Sequence, residues 1–316
     1  MNPRRALRAI LLSAALGLTL SSGTPLLAAQ GNEQVLEEEI NSAIQSGRLD
    51  AAISNARRAV EQFPRSVTLQ QLLGAALFKR GLNADARAAF RRAIEIDPSN
   101  AQSYFNLALV EMSEKKYGDA VHALETCVKL DPQNAQAHVF LGRAYHNQNQ
   151  TLPAIEQFKK ALELRPRLPL VHYHLGYAYQ SQGNLAAALE EYRKEMQSNP
   201  GFDESYWLAG NIELGKGNLD AAEGDFRRAV RLKPQGLEAQ YGLARVLLAR
   251  GKPAESAAVL KQVIELKPDH VEAHYALARA YQQLGQKDEA AREFKTVADL
   301  HARAANRRSG IAGSQP

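Results

Sequence analysis

The sequence predicts an all-α protein built of stacked helix pairs, and three observations carry that prediction. Proline falls at 64, 98, 132, 166, 200, 234 and 268, every interval being 34 residues. Within that period two slots hold small residues and a third holds glycine. Ala and Leu are abundant while Gly and Pro do not cluster, a composition that suits helices. A fixed period of this length marks a repeat whose units bury their apolar faces on one another. At 316 residues a single compact core would be large, so a repeat array is the simpler arrangement.

The chain opens with "MNPRRALRAILLSAALGLTLSSGTPLLAAQG": three arginines, an apolar run from Ala9 to Leu20, then small and polar residues up to Ala28-Ala29. That is the layout of a secretory signal peptide over residues 1–29. The run of 12 residues is short for a bilayer span. After Ala29 the third residue back is Leu27, where a small residue is usual, so the cleavage point stays open. An uncleaved anchor is the alternative. No cysteine follows the apolar run to carry a lipid. The expected location is the bacterial periplasm or cell envelope, or the exterior. Cys127 is the only cysteine, so no internal disulfide supports the fold.

Aligned on the prolines, units begin at 33, 67, 101, 135, 169, 203, 237 and 271 and together cover residues 33–304. Slot 8 reads Gly74, Ala108, Gly142, Gly176, Gly210, Ala244 and Ala278; slot 20 is Ala in six of units two to eight and Ser256 in the seventh. Small residues there let two helices approach closely. Slot 7 is mostly Leu, and slot 24 is bulky: Phe90, Leu124, Phe158, Tyr192, Phe226, Leu260 and Phe294. Slots 4, 7, 8 and 11 share one face of a first helix, and slots 20, 24 and 27 one face of a second. Slot 15 is glycine in six units, suited to a left-handed helix stop between the two. Each unit closes near its proline, which lacks the amide donor and disfavours helix in the residue before it.

The segments "YFNLALVEMSEKKYGDAVHALETCVKLDPQN" (104–134) and "YWLAGNIELGKGNLDAAEGDFRRAVRLKPQG" (206–236) carry small, aromatic and proline slots that resemble the tetratricopeptide repeat (TPR) family. The resemblance covers residues 33 to about 304 without an insertion. It implies a right-handed superhelical solenoid of antiparallel helix pairs, first helices lining a concave groove and second helices forming the back. The ends depart from the pattern. Unit one has Glu39 and Ile40 in place of Leu and Gly, as a solvated cap would; unit eight has Ala302 in place of proline, so its second helix is expected to run on. Residues 305–316 show no core pattern and are expected to be a disordered tail.

Charge and motifs exclude several functions. The formal net charge is +5, but three positive charges lie at Arg4, Arg5 and Arg8 and three at Arg303, Arg307 and Arg308, leaving a near-neutral body. That is no nucleic-acid surface. No GxSxG, HExxH, phosphate-binding glycine loop or CxxC occurs, and no cofactor is implied. His172 and His174 are two residues apart, about 200° around a helix, and point to opposite sides, so they do not chelate one ion together. His172 shares slot 4 with Tyr104, His138, Tyr206 and His274, a half-buried ring slot. Cys127 sits in slot 27 beside Ala93, Ala161 and Ala229 and reads as a small buried filler rather than a reactive thiol.

If the family geometry holds, slots 2, 5, 9 and 12 face the groove. In the later units slot 5 is Tyr173, Trp207, Tyr241 and Tyr275; slot 2 is Glu204, Glu238 and Glu272; slot 9 is Tyr177, Asn211, Arg245 and Arg279. An aromatic row flanked by acids and two arginines suits a protein interface. The same rings could instead pack on the next unit, with Tyr241–Arg245 and Tyr275–Arg279 stacked one turn apart. In the early units Phe78, Leu109 and Met112 give a more apolar end. The chaperone-tail carboxylate clamp of the family needs Lys in slot 5, and none is present. The expected function is a non-catalytic, exported interaction scaffold that binds a peptide or partner helix. The alternative is an assembly subunit of an envelope complex that associates through its edges.

Overall fold

A computed structural model describes the backbone of residues 24–312 and the side chains of residues 32–306. The N-terminal apolar run therefore lies outside the described residues. The described chain is all-α, with sixteen helices and no strand. It divides into two compact units that meet between Leu168 and Pro169.

The first unit contains four helix pairs: α1 (Thr24–Gln45) with α2 (Leu49–Gln62), α3 (Val67–Arg80) with α4 (Asn83–Ile96), α5 (Ala101–Ser113) with α6 (Tyr117–Leu130), and α7 (Ala135–Asn147) with α8 (Thr151–Leu164). Ser66, Asn100 and Asn134 start α3, α5 and α7 by accepting the amide three residues on, at 3.2, 3.0 and 3.0 Å. Between the two helices of a pair the chain turns through a left-handed residue. Gly81 does so at φ 89°, and in the two units without glycine Lys115 (φ 61°) and Asn149 (φ 59°) take the same conformation. The turn geometry is thus kept where the glycine is not. A bidentate clasp ties the second repeat to the third: Arg87 Nε and Nη2 reach the two oxygens of the buried Glu111 at 2.7 and 3.1 Å, and Nη2 also holds Glu114.

The second unit repeats the scheme with α9 (Val171–Ser181) and α10 (Leu185–Ser198), α11 (Asp203–Gly215) and α12 (Leu219–Leu232), α13 (Leu237–Ala249) and α14 (Pro253–Leu266), α15 (Val271–Gln283) and α16 (Lys287–Ala312). The residue in slot 24 seals each repeat of this unit but the last, where Phe294 is half-buried. Phe226 has Gly210 of its own first helix on one side and Gly242 of the next first helix on the other, so close that a methyl on Gly242 would stand 2.1 Å from Cε1. Burying such a side chain completely contributes roughly 1.5–3 kcal/mol per repeat.

Two local features depart from the regular pattern. Helix α9 starts two residues late, after Leu170 at φ 66°, and no side chain caps it from the position before its first residue. The acceptor comes instead from Glu195 in slot 27: its fully buried carboxylate takes the amides of Leu170 (3.2 Å) and Tyr173 (3.4 Å). At the other end α16 runs on to Ala312, through much of the segment read from the sequence as a tail.

Candidate functional site

The surface that gathers the sequence-predicted residues is the exposed face of α9, α11, α13 and α15. Positions two, five and nine of a helix lie within about 60° of one another, so each helix offers one residue of each row on the same side. Adjacent first helices α11, α13 and α15 neighbour one another directly.

The aromatic row is partly floor and partly surface. Tyr173 is half-buried amid Tyr177 (6.4 Å, stacked), Tyr192 (6.4 Å) and Phe202 (5.0 Å, edge-on). Phe202 escaped the sequence reading because it stands in the cap position before α11, outside the groove slots. Trp207 is half-buried against two apolar clusters, one around Tyr192 and Leu208 and the other around Phe226 and Leu243. Tyr241 carries Arg245 over its ring at 5.8 Å, the one-turn stack expected from the sequence, and meets His270 at 5.0 Å. Burial pushes its phenol above the usual range; Arg245 opposes that and Glu272 adds to it. Tyr275 stacks edge-on with Phe294 at 5.8 Å. Even so, Tyr275 is 49% exposed and Tyr177 44%.

The charged rows are open to solvent. Glu238, Glu272, Arg245 and Arg279 are all exposed, while Glu204 and Asn211 are half-buried. Glu272 lies 3.1 Å from His270 Nδ1. Among the described residues neither Arg245 nor Arg279 is within ion-pair distance of an acid. The acid and arginine rows are seven residues apart along each helix, or about 10 Å. In the first unit the apolar groove residues do not form an open surface: Leu109 and Met112 close into the core, 0% and 9% exposed, with half-buried Phe78 packed beside them. Their mutual burial is worth more than presenting them to water.

The histidines of slot 4 serve the repeat joints. His138 Nε2 donates to the Pro132 carbonyl at 3.1 Å and His274 Nε2 to the Pro268 carbonyl at 3.0 Å. Tyr206 and Gln240 make the equivalent bond to Pro200 and Pro234. In these four repeats slot 4 supplies a donor that takes up the proline carbonyl six residues before it. His172 instead faces Glu191, 2.6 Å from Nδ1. Among the described residues no group of three or more His, Cys, Asp or Glu is placed to hold a metal ion. Cys127 is fully buried, and burial pushes its thiol up to about 12, with Asp131 adding to the effect. In the second unit Arg193 of one repeat reaches the buried Asp225 of the next, its fork holding the carboxylate at 2.6 and 2.7 Å. The arrangement offers recognition chemistry: rings, an acidic row and an arginine row on fixed helices.

Residues 180–308 match the family described as the cytochrome c-type biogenesis protein H TPR domain. Residues 142–183, 38–101 and 89–122 match three further tetratricopeptide repeat families. No curated protein matches the chain. Among solved structures, PilF of Pseudomonas aeruginosa is similar with a TM-score of 0.62 at 21% identity, covering 69% of this chain and 99% of that one. A tetratricopeptide repeat protein from Parabacteroides merdae gives 0.57 at 16% identity, covering 78% and 98%. YrrB, described as a TPR protein with an unusual peptide-binding site, gives 0.52 at 24% identity, covering 60% and 97%. These likenesses are likenesses of fold. Among the described residues no helix is long and apolar enough to cross a membrane. The proline-paced helix pairs, their sealed slot 24 and the four family matches agree that this chain belongs to the tetratricopeptide repeat family.

Proposed function

We propose that the protein is a non-catalytic interaction scaffold of the cell envelope, holding a peptide or partner helix on the first-helix face of its C-terminal unit. The observation that carries this reading is the parallel run of three rows on α11, α13 and α15. The acids Glu204, Glu238 and Glu272 flank one side, Trp207, Tyr241 and Tyr275 form the centre, and Asn211, Arg245 and Arg279 flank the other. Tyr173 and Tyr177 extend the aromatic row onto α9. A ligand crossing these helices meets rigid aromatic surface at its centre, where burial is worth most, and opposite charges along its two sides. The fitting partner is a segment with an apolar stripe, cationic on one flank and anionic on the other. Export is supported by Arg4, Arg5 and Arg8 followed by the apolar run, with cleavage by signal peptidase or retention as an anchor both compatible with it. The match of residues 180–308 to the cytochrome c-type biogenesis protein H TPR domain points the same way. No cofactor or nucleic acid enters this reading.

The test is selection from a displayed peptide library by the parent protein and by the Arg245→Glu/Arg279→Glu variant, after circular dichroism has shown equal helicity. The parent should enrich peptides with an apolar stripe and an acidic flank, and the variant should lose them. Identical peptide sets from both proteins would remove the arginine row from the site.

A further inference from the structure

The histidines of slot 4 face three different settings, and one of them demands an extra proton. In the fourth repeat His138 gives its Nε2 hydrogen to the Pro132 carbonyl, and Nδ1 stands 2.7 Å from the side-chain amide of Gln157. An amide can present its nitrogen as readily as its oxygen, so a neutral ring satisfies both contacts. In the fifth repeat His172 meets one acceptor among the described residues, Glu191 at 2.6 Å, and a neutral ring again suffices. In the eighth repeat His274 gives its Nε2 hydrogen to the Pro268 carbonyl at 3.0 Å, while Nδ1 lies 2.6 Å from Oε2 of Glu293. Both ring nitrogens there face oxygens that bring no hydrogen of their own. Two hydrogen bonds need two hydrogens, and a neutral ring beside an ionised carboxylate supplies one.

The surroundings favour placing the second hydrogen on the ring. His274 is 7% exposed, so a nitrogen lone pair turned on a carbonyl would stay unpaired at a cost. An imidazolium donating to both oxygens leaves nothing unpaired and makes the Glu293 bond charge-assisted. Among the described residues the other charged side chains of α13, α14, α15 and α16, and of the turn before α15, are exposed, with two exceptions. Glu289 is half-buried one turn before Glu293 and adds negative charge on that side; His270 faces Glu272. The pair also sits where the array is weakest. It joins α15 to α16, the last helix among the described residues, and a terminal repeat has one neighbour to pack on.

We propose that the His274–Glu293 pair is a proton-controlled latch: α16 docks on α15 with uptake of one proton and loosens as the pH rises. Undocked, an imidazole is neutral above about 6.5 and a carboxylate is ionised. Above that pH docking takes up a proton, so the docking constant falls about tenfold per pH unit until the docked pair gives its proton up. Between the ordinary carboxylate and imidazole values both states carry the proton, and docking is strongest. Phe294 follows Glu293 and rests on Tyr275, so the latch also sets how firmly that ring is held. It does not depend on what the groove binds.

Two measurements on the full chain test this. In nitrogen-15 NMR of the histidine rings at about pH 7.5, His274 should carry hydrogen on both nitrogens while the exposed His122 and His301 are neutral; its signals are identified by their loss in His274→Gln. Hydrogen exchange of the α16 amides, corrected for the intrinsic rate, should lose protection up to tenfold per pH unit above about 6.5, while α8 of the His138–Gln157 repeat does not. Glu293→Gln copies Gln157, and His274→Gln copies Gln240, which serves its proline carbonyl without a ring. Both should stay folded and remove the pH dependence of α16. The proposal is overturned by a neutral His274 at that pH, by α16 protection no more pH-dependent than that of α8, or by a Glu293→Gln protein that keeps the parent's dependence.

Discussion

Two glycines of one repeat joint should respond to alanine in opposite directions. Gly242 lies on the buried side of α13, and an added Cβ would stand 2.1, 2.5 and 2.6 Å from three atoms of the Phe226 ring. The ring has no free side to retreat to, since the position of a Cβ on Gly210 is only 3.1 Å from it. Gly224 lies exposed on α12 with no atom within 4 Å of its added Cβ. In both helices alanine gains about 1 kcal/mol of propensity over glycine. At Gly224 nothing opposes that gain, so Gly224→Ala should stabilise by about 0.5–1 kcal/mol. At Gly242 overpacking has no route of relief and falls in the upper part of the typical range, about 2–3 kcal/mol, so after the propensity gain Gly242→Ala should destabilise by a net of about 1–2 kcal/mol. Repeat arrays need not unfold in one step, so the assay is native-state hydrogen exchange of the α12 and α13 amides beside the thermal melt. Protection should fall around α12–α13 in Gly242→Ala and rise in Gly224→Ala. A Gly242→Ala protein as stable as the parent would refute the sealed-ring account of the repeat joint.

Other perturbations follow from the same geometry. Lys115→Gly removes a side chain from a left-handed position that costs an L-residue about 1–2 kcal/mol, part of which glycine gives back in unfolded-chain entropy; a net gain of about 0.5 kcal/mol in thermal or urea unfolding is expected. Glu195→Ala strips the amides at the start of α9 of their acceptor and should cost about 1–2 kcal/mol or more, while Glu195→Gln, which keeps an acceptor oxygen, should lose less; equal losses in a melt would mean the cap is not what Glu195 contributes. The Arg87 clasp should be acid-labile. Lys116 and Arg87 hold the Glu114 carboxyl at about 2, below its ordinary 4.5, so its contribution is present above 4.5 and is lost as pH falls toward 2. Exchange protection of α4 and α5 should decline across that window in the parent, and Glu114→Gln should flatten the decline.

The fold could be read almost wholly from the sequence because its signals recur. One proline or alanine says little, but a slot filled the same way seven times specifies which side of which helix is buried. What escaped the reading lay where a slot was filled unusually. Glu195 occupies a slot otherwise held by small or apolar residues, and only the structure pairs it with the uncapped start of α9. Lys115 and Asn149 hid a left-handed turn because neither is glycine. Slot 4 looked like a ring slot, whereas in four repeats it supplies a donor for the proline carbonyl, which Gln240 does without a ring. In the candidate site, the rows follow from periodicity alone, and the stacking of Arg245 on Tyr241 was foreseeable from their one-turn spacing. The partner of Tyr275 was not: the ring turns to Phe294 on α16, a tertiary contact that helical spacing cannot encode. Nor could spacing reveal that Leu109 and Met112 close into the core, since a groove slot and a core slot differ by only a small rotation where neighbouring helices sit close.

The central claim is that the charged rows of the C-terminal unit read the flanks of a bound segment. The most direct test is a calorimetric titration of one library-selected peptide into the parent and into the Arg245→Glu/Arg279→Glu variant, repeated with the acidic flank of the peptide changed to lysine. The account predicts that the variant binds the original peptide roughly tenfold or more weakly and regains affinity for the lysine-flanked peptide. Equal affinities in all four combinations would contradict it, leaving these arginines as solvated surface and the face without the recognition role assigned to it.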